Sequence, residues 1–307
     1  MTDRGRERVW TPGRPVLVGQ LLAPLRRGAG DPTYAVTPDG AHWRSALTPA
    51  GAGTLRITSD RSAGLVRATA WGDGAEWLLH GLPALLGDED DWSGFRAGHP
   101  VVEEALRRHP HWRIGRTGLV HDALLPAILE QKVTGQEAFA GYRRLVRRFG
   151  RRAPGPADGP QLWCPPSPAE VAAVPSWEWI RLPVDPARSR TAVTAARAAA
   201  ALERGLVEGS AELDRRLRAL PGVGVWTSAE TRARAAGDPD AVSFGDYHVA
   251  KDVGWALVGH PVDDAEMARL LEPWRGHRRR VAILLLLAVG QRPQRGPRMA
   301  PRRHLPR

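Results

Sequence analysis

The sequence predicts a small α+β domain followed by a larger all-α domain. Two patterns indicate this division. Between residues 30 and 72, apolar and polar residues alternate with the period that is typical of half-buried strands. After about residue 100, apolar residues recur at helical spacing between capping residues and glycines, and no strand pattern appears. We assign residues 1–91 to the α+β domain, residues 92–291 to the all-α domain and residues 292–307 to a tail.

The α+β domain has several strand-like segments and two helix-like ones. Pro38, Asp39 and Gly40 predict a hairpin turn between the first two strands. Strands that are followed by a helix favour an antiparallel sheet with helices on one face, and its simplest role is that of a scaffold. The predicted strands are 33–36, 42–47, 54–58 and 65–71, and the predicted helices are 16–25 and 75–86.

The all-α domain follows an acidic run at residues 88–91, which we expect to be a solvated linker. Asp122 is expected to start a helix that has Pro126 in its first turn. Thr134 and Glu137 have the spacing of a capping box for a helix that ends at Gly150, and residues 151–166 form a Pro/Gly-rich loop. Further helices are predicted to begin at Ser167, at Asp185 (continuing to near Gly205), at Asp263 and at Arg278.

Composition indicates the class of partner. The formal net charge of +11 and the sequence pI near 11.1 predict a polyanion or an acidic surface. Nearly all the basic residues are Arg, and Lys132 and Lys251 are the two lysines. The tail alternates Arg with Pro, so we expect it to be disordered, either adding attraction to phosphate or only increasing solubility.

Cys164 is the single cysteine, which excludes an internal disulfide, a zinc site made of several cysteines and a four-cysteine iron–sulfur cluster. The longest apolar run, residues 281–289, is too short to span a bilayer, and the N-terminus leads into no apolar core. We therefore expect a soluble, monomeric, cytoplasmic protein with no membrane partner, associated with the nucleoid if it is bacterial.

A short hairpin lies at residues 220–224, where the sequence reads Leu-Pro-Gly-Val-Gly. An apolar-periodic segment precedes it, and a helix-favouring segment follows from Trp226 to Gly237. Gly222 and Gly224 permit backbone angles at which successive N–H groups converge, and such a concavity at a helix N-terminus favours phosphate. The alternative is an ordinary turn between two helices.

Asp246 follows a Phe-Gly turn and precedes another apolar-periodic segment, so it is expected to be the N-cap of a helix. A cap is the usual role of such an aspartate. Here, however, it lies shortly after a predicted phosphate-binding hairpin in a very basic chain.

The hairpin and the aspartate together resemble the helix-hairpin-helix DNA glycosylase superfamily, and the DNA-3-methyladenine glycosylase II type within it. Further similarity lies in the segment from Ala127 to Gln131 and in Glu272-Pro273-Trp274-Arg275, and the resemblance covers most of residues 122–287. It implies an α+β N-terminal domain beside an all-α helix-hairpin-helix glycosylase domain. The implied partner is double-stranded DNA that contains a damaged base.

The resemblance also implies roles for individual residues. Asp246 becomes the catalytic carboxylate that stabilises the oxocarbenium ion formed when an N-glycosidic bond breaks. DNA binding falls to Gly222, Val223 and Gly224 through their N–H groups, to Thr227 and Arg275, and to Lys132 as a wedge that fills the gap in the duplex. No cofactor is expected, although the carbonyls of Leu220 and Gly222 could hold a monovalent cation.

The implied base pocket consists of Trp226, Glu230, Gln131 and Ile283. Trp226 stands where bifunctional members carry a nucleophilic lysine, so the resemblance implies a monofunctional enzyme. Glu230 and Ile283 stand where alkylpurine enzymes carry aromatic residues. Glu230 can contact the base, pair with an arginine or face solvent, and pairing is the favoured interpretation.

The sequence therefore supports a monofunctional glycosylase that excises alkylated purines such as 3-methyladenine and acts in base excision repair. Two alternatives stay open. One is the same reaction on a deaminated or oxidised base, and the other is a DNA-binding protein without catalytic activity. The intact Asp246 argues against the second, because binding a phosphate backbone has no use for a carboxylate.

Overall fold

The computed structural model describes residues 5–290, which form a five-stranded antiparallel sheet and a set of α-helices. The strands of this sheet are β1 Arg6–Trp10, β2 Tyr34–Val36, β3 His42–Thr48, β4 Gly51–Asp60 and β5 Leu65–Trp71. The helices are α1 Val18–Leu22, α2 Ala75–His80, α3 Leu82–Leu85, α4 Pro100–Arg108, α5 Val120–Leu129, α6 Gly135–Phe149, α7 Pro168–Ala173, α8 Ser176–Arg181, α9 Pro186–Arg197, α10 Ala199–Glu208, α11 Ser210–Arg218, α12 Val225–Ala235, α13 Val249–Val258, α14 Asp264–Leu271 and α15 Arg278–Val289.

The N-terminal sheet has the strand order β1-β5-β4-β3-β2, and every pair is antiparallel. Alternate residues such as Leu55 and Ile57 are buried under α1–α3, as the period of a strand dictates. On the opposite face, Trp43 stacks on Trp71 with ring centroids 5.3 Å apart. The predicted antiparallel sheet is confirmed, with one strand added. β1 was missed because it is a largely exposed edge strand, which lacks an apolar face.

The helices build two further apolar cores. The central cluster contains α5–α12 and buries residues such as Leu124, Leu145 and Leu217. The terminal cluster contains α4 and α13–α15 and buries residues such as Val102 and Val281. The chain thus enters the terminal cluster at α4, builds the central cluster, and returns to the terminal cluster through residues 236–248. The prediction that the chain is mainly helical after the sheet is confirmed, while the domain boundaries stay predictions.

Residues 151–166 connect the helical part to the sheet. Two short strands, β6 Arg151–Arg152 and β7 Trp163–Cys164, pair within this loop. Leu162 packs against the Trp43–Trp71 pair, and Ser45 donates to the carbonyl of Trp163 at 2.7 Å. The expectation of a part without strands is therefore wrong at this loop. It folds back on the sheet, and the pairing of two residues leaves no alternation in the sequence.

Local capping rules are confirmed where a side chain binds its own helix. Thr134 and Glu137 form the predicted capping box of α6, and Ser167 forms the capping box of α7 with Glu170. Asp185 accepts hydrogen bonds from the first N–H groups of α9. Asp263 caps α14 in the same way. The long helix expected after Asp185 is instead divided at Ala198 into α9 and α10.

The start of α5 differs from the prediction. The helix begins at Val120, and Asp122 lies inside its first turn, where it forms an ion pair with Arg44 of β3. The N–H groups of Val120 and His121 donate to the carboxylate of Glu203 on α10 at 3.0 and 3.1 Å. A distant residue therefore caps this helix. Pro126 lies in mid-helix rather than in the first turn.

In the acidic run at residues 88–91, Asp88, Glu89 and Asp91 are exposed as expected, but Asp90 is not. The Asp90 side chain is 1% exposed and pairs through both oxygens with Arg280 of α15, whose side chain is 0% exposed. The Arg280 guanidinium also lies 4.0 Å from the centroid of a Trp92 ring. Asp90 thus ties the end of the N-terminal region to α15, because a buried guanidinium requires an anion beside it.

Among residues 5–290, none of the helices combines the length and the apolar character that a membrane span requires. The predicted tail at residues 292–307 lies outside the described residues.

Candidate active site

The hairpin between α11 and α12 is closed by a hydrogen bond from the N–H of Val223 to the carbonyl of Leu220, 3.0 Å long. Gly222 has a φ of +85°, and a Cβ added there would lie 2.1 Å from Oγ1 of Thr191. Only glycine fits this position. At Gly224, φ is −92° and an added Cβ meets nothing within 4 Å. The expectation that both glycines are needed for their backbone angles is therefore wrong for Gly224.

Backbone N–H groups of the hairpin are available to a ligand. Within residues 5–290, those of Gly222, Gly224 and Val225 have no protein acceptor, and all three residues are exposed. Since α12 begins at Val225, the positive end of its dipole adds to these donors, and the arrangement fits a phosphate. The N–H of Val223 is already bonded inside the hairpin, so Val223 anchors the turn rather than a phosphate.

Gln131 lies against the hairpin. Its Nε2 donates to the carbonyl of Gly222 at 2.9 Å and to Oγ1 of Thr227 at 2.7 Å. The side chain therefore fixes the hairpin to the end of α5, and its role in a base pocket stays a prediction. Thr227 is 2% exposed, and its hydroxyl accepts a hydrogen bond from Gln131, so its side chain is not available to DNA and its DNA-binding role stays a prediction for the backbone alone.

The carbonyls of Leu220 and Gly222 each accept one hydrogen bond, from the N–H of Val223 and the amide of Gln131. A carbonyl oxygen has two lone pairs, so one remains on each oxygen. The two oxygens thus keep the capacity to bind a monovalent cation, and that expectation stays a prediction.

Asp246 is held through both carboxylate oxygens. Oδ1 accepts the N–H groups of His248 and Val249 at 2.7 and 3.1 Å. The N-cap of α13 is His248, so the predicted N-cap position of Asp246 is wrong by two residues, although its carboxylate binds the N–H groups at the start of the helix. Oδ2 accepts the indole N–H of Trp226 at 3.2 Å. Trp226 lies in the first turn of α12, directly after the hairpin. The predicted neighbours along the chain are therefore neighbours in space, and the carboxylate has a fixed orientation.

Glu230 is buried one helical turn beyond Trp226. Arg234 lies 2.5 Å and Arg279 3.0 Å from its carboxylate, and Ser243 donates to it. Burial raises the pKa of Glu230, but the charges of Arg234 and Arg279 and the Ser243 hydrogen bond outweigh it, so the pKa lies well below its ordinary value. The favoured interpretation, ion pairing, is the one the structure shows, and the assignment of Glu230 to a base pocket is wrong.

The remaining predicted residues lie around this centre. Ile283 is partly buried in the terminal cluster on α15. Lys132 is exposed and has a φ of +53°, in the left-handed region. Arg275 is exposed and pairs with Glu272 at 2.5 Å, while Trp274 packs in the terminal cluster. The pocket and DNA roles of Ile283, Lys132 and Arg275 stay predictions.

Tyr247 was missed by the sequence analysis. It directly follows Asp246, is 71% exposed, and carries the Lys251 ammonium 3.6 Å from its ring centroid. A large aromatic residue next to a candidate catalytic group is a signal that could have identified it, because a base stacks on such a ring.

The site as a whole lies where the two helical clusters meet. The hairpin and Trp226 belong to the central side, and Asp246 precedes the terminal helix α13. Unpaired backbone N–H donors, an oriented carboxylate, the half-buried ring of Trp226 and the exposed ring of Tyr247 are thus brought together. This set can hold a nucleic acid backbone and stabilise a positive charge on a sugar.

Solved structures share this architecture. A 3-methyladenine DNA glycosylase from Archaeoglobus fulgidus superposes with a TM-score of 0.72 at 19% sequence identity, over 91% of this chain and 97% of that chain. An 8-oxoguanine glycosylase/lyase from Clostridium acetobutylicum superposes with a TM-score of 0.70 at 10% identity, over 94% of this chain and 99% of that chain. The chain has the helix-hairpin-helix DNA glycosylase fold. The resemblance found in the sequence is confirmed at this level.

This chain is also similar in sequence to a curated protein. The probable bifunctional transcriptional activator/DNA repair enzyme AlkA of Mycobacterium tuberculosis is 29% identical over 188 residues, which cover 58% of this chain and 36% of the relative. The chain therefore spans about a third of the length of the curated relatives it matches. No model of a known protein family matches the sequence.

Proposed function

We propose that the protein is a monofunctional DNA glycosylase that removes alkylated purines of the 3-methyladenine type from duplex DNA and leaves an abasic site. The observation that carries the proposal is the Asp246 carboxylate, fixed by two backbone N–H groups and by Trp226 beside a phosphate-binding hairpin. The similarity to AlkA and the fold of the 3-methyladenine glycosylase support it. The protein would act as a monomer in the cytoplasm, associated with the nucleoid if its source is bacterial.

The chemistry follows from the position of the carboxylate. As the bond between C1′ and the base nitrogen breaks, its electron pair goes to the base, and C1′ gains oxocarbenium character. The Asp246 carboxylate stabilises that positive charge, and water adds to C1′ and loses one proton to the solvent, which leaves a neutral abasic sugar. An N-alkylated purine is already cationic and leaves as a neutral base, so no general acid is needed.

The identity of Trp226 supports hydrolysis without strand cleavage. An indole cannot form a Schiff base, and its N–H is used to orient Asp246. Within residues 5–290, the lysines are Lys132 and Lys251, and the ammonium of Lys251 lies over Tyr247. The presence of Glu230 no longer favours a deaminated or oxidised base as the substrate. Its carboxylate pairs with two arginines and is therefore not available to contact a base.

The test is the release of free bases from methylated duplex DNA, measured by mass. Release of 3-methyladenine by the wild-type protein, with strands intact until alkali is added and no adduct trapped by borohydride, is expected. Release of oxidised or deaminated bases only would contradict the substrate class. A trapped adduct would contradict the monofunctional mechanism, and binding without release would leave a DNA-binding protein.

A further inference from the structure

The α5–α6 loop, residues 130–134, presents Lys132 to solvent in an unusual backbone conformation. Its φ of +53° lies in the left-handed region, which residues with a Cβ seldom adopt. Such a conformation persists only where neighbouring contacts hold it. The two residues before Lys132 supply those contacts, and they hold the loop from opposite sides.

One anchor belongs to the central cluster. Gln131 donates to the carbonyl of Gly222 and to Thr227, so the loop is fixed to the hairpin. This anchor sets the distance between Lys132 and the phosphate-binding donors.

The other anchor comes from the N-terminal region. Nε of Arg27 lies 3.4 Å from Oε1 of Glu130, and the side chains are 6% and 18% exposed. The contact is an ion pair without hydrogen-bond geometry, because the Arg27 Nε has no hydrogen-bond acceptor within the described residues. Screening by solvent is weak at such exposure, so the pair holds the loop more firmly than a surface pair does.

Arg27 is itself rigidly held. Its Nη1 donates to the carbonyl of Pro24 at 2.8 Å, and its backbone N–H donates to Asp31 at 2.6 Å. Asp31 is buried and also accepts the N–H and the hydroxyl of Thr33, immediately before β2. The guanidinium is therefore a fixed point on the sheet side of the molecule rather than a mobile surface charge.

A second cation, Arg234, also interacts with Glu130. Arg234 of α12 binds Glu230 and donates to the carbonyl of Pro24 at 3.1 Å. Burial lowers the pKa of Arg234, but the charges of Glu230 and Glu130 outweigh it and raise the pKa. Arg27 and Arg234 thus donate to the same carbonyl of Pro24, and Arg27 is the one whose ion pair with Glu130 the structure shows.

We propose that Arg27 is a positioning residue, by which the N-terminal region holds the α5–α6 loop so that Lys132 enters the gap left by a flipped base. The proposal rests on the proposed function, and specifically on the wedge role of Lys132. It gives the N-terminal region a part in catalysis on paired DNA beyond that of a scaffold.

The experiment compares single-turnover release of 3-methyladenine from an alkylated oligonucleotide as paired duplex and as single strand. A single strand has no gap to fill, so its rate reports folding and the chemistry at Asp246. Arg27→Gln should lower the duplex-to-single-strand rate ratio by about ten-fold or more, since small displacements of a positioned group can cost up to about a hundred-fold. Because both rates come from one preparation, a loss of folded protein cancels in the ratio.

Three further variants make the result specific. Arg26→Gln removes the neighbouring exposed charge, which does not contact Glu130, and should leave the ratio unchanged. Glu130→Gln should reproduce the effect of Arg27→Gln, and Arg27→Lys should restore much of the ratio. In a Lys132→Ala background, Arg27→Gln should change the ratio by less than about two-fold, since residues that act as a unit are not additive.

A second readout does not depend on turnover. The preference of the protein for duplex with a tetrahydrofuran abasic site over undamaged duplex should fall in Arg27→Gln and in Lys132→Ala, and no further in the double variant. Equal losses on duplex and single strand, or an undiminished effect of Arg27→Gln without Lys132, would overturn the proposal. Absence of base release by the wild type would instead contradict the proposed function, and the abasic-site preference would still decide the role of Arg27.

Discussion

Replacement of Asp246 by asparagine separates the two roles of this residue. The amide oxygen of asparagine can still accept the N–H groups of His248 and Val249, so the cap of α13 is kept. The amide nitrogen then takes the place of Oδ2 and faces the indole N–H of Trp226, which lies 3.2 Å from that oxygen. Two donors face each other, and one hydrogen bond is lost.

The expected effect on stability is therefore small. Loss of one hydrogen bond costs about 0.5–1.5 kcal/mol, and the half-buried Trp226 can donate to water instead. For a chain of this size, about 1 kcal/mol lowers the melting temperature by roughly 2–4 °C. The effect on the rate should be much larger, because the variant has no charge facing the oxocarbenium ion. Loss of one preorganised electrostatic contact typically lowers the rate by about 10²–10³.

The assay combines three measurements on one preparation: thermal melting, binding to duplex with an abasic site, and single-turnover release of 3-methyladenine. Trp226→Phe is the matched control, because it removes the same hydrogen bond and keeps the carboxylate charge. It should lose far less activity than Asp246→Asn at a similar melting temperature. If Asp246→Asn releases bases at close to the wild-type rate, Asp246 is only a helix cap and the mechanism is wrong.

Three other predictions concern the hairpin, the buried glutamate and the cysteine. Gly222→Ala should lower the melting temperature, because an added Cβ meets a neighbouring side chain at positive φ. Gly224→Ala should keep the melting temperature and weaken duplex binding in a salt-dependent titration. Equal melting temperatures of the two variants would contradict this. Glu230→Gln should destabilise the protein by about 3–5 kcal/mol at pH 7. Because the folded pKa of Glu230 is depressed, its contribution to stability is present above the unfolded pKa of about 4.3 and lost at lower pH. In chemical unfolding, the difference in unfolding free energy between wild type and variant should therefore shrink below about pH 4. A difference that grows as the pH falls would refute the ion pair. Burial raises the pKa of Cys164 to about 11, so a thiol reagent at pH 8 should label the protein only after urea is added, and rapid labelling of the native protein would contradict the burial.

The features that could be predicted from the sequence depend on short-range geometry. The capping boxes at Thr134 and Ser167 follow from the three-residue spacing of a side chain and the N–H group that it binds. Asp246 binds the N–H groups two and three residues after it by the same short-range geometry, although the N-cap itself is His248. These interactions need no knowledge of the fold, because both partners lie in one turn.

The features that could not be predicted depend on partners that are distant in the chain. Glu203 caps α5 from 83 residues away, and Asp90 pairs with Arg280 across 190 residues. An acidic run has the same composition whether it is solvated or pairs with a buried arginine. Glu130 and Arg27 likewise carry no local signal, although they lie directly behind the loop that presents Lys132.

The path of the chain through the terminal cluster has a consequence for biosynthesis. α4 is made early, but its partner α15 leaves the ribosome after all the other helices within residues 5–290, and the pair of Asp90 with Arg280 cannot form until then. Domains generally fold as units during synthesis, N-terminal parts first. A nascent chain that ends before α15 can therefore complete the hairpin while the cluster that holds α13, and with it Asp246, is still open. On the proposed function, the hairpin that binds DNA forms before Asp246, which acts on the sugar, is held in place.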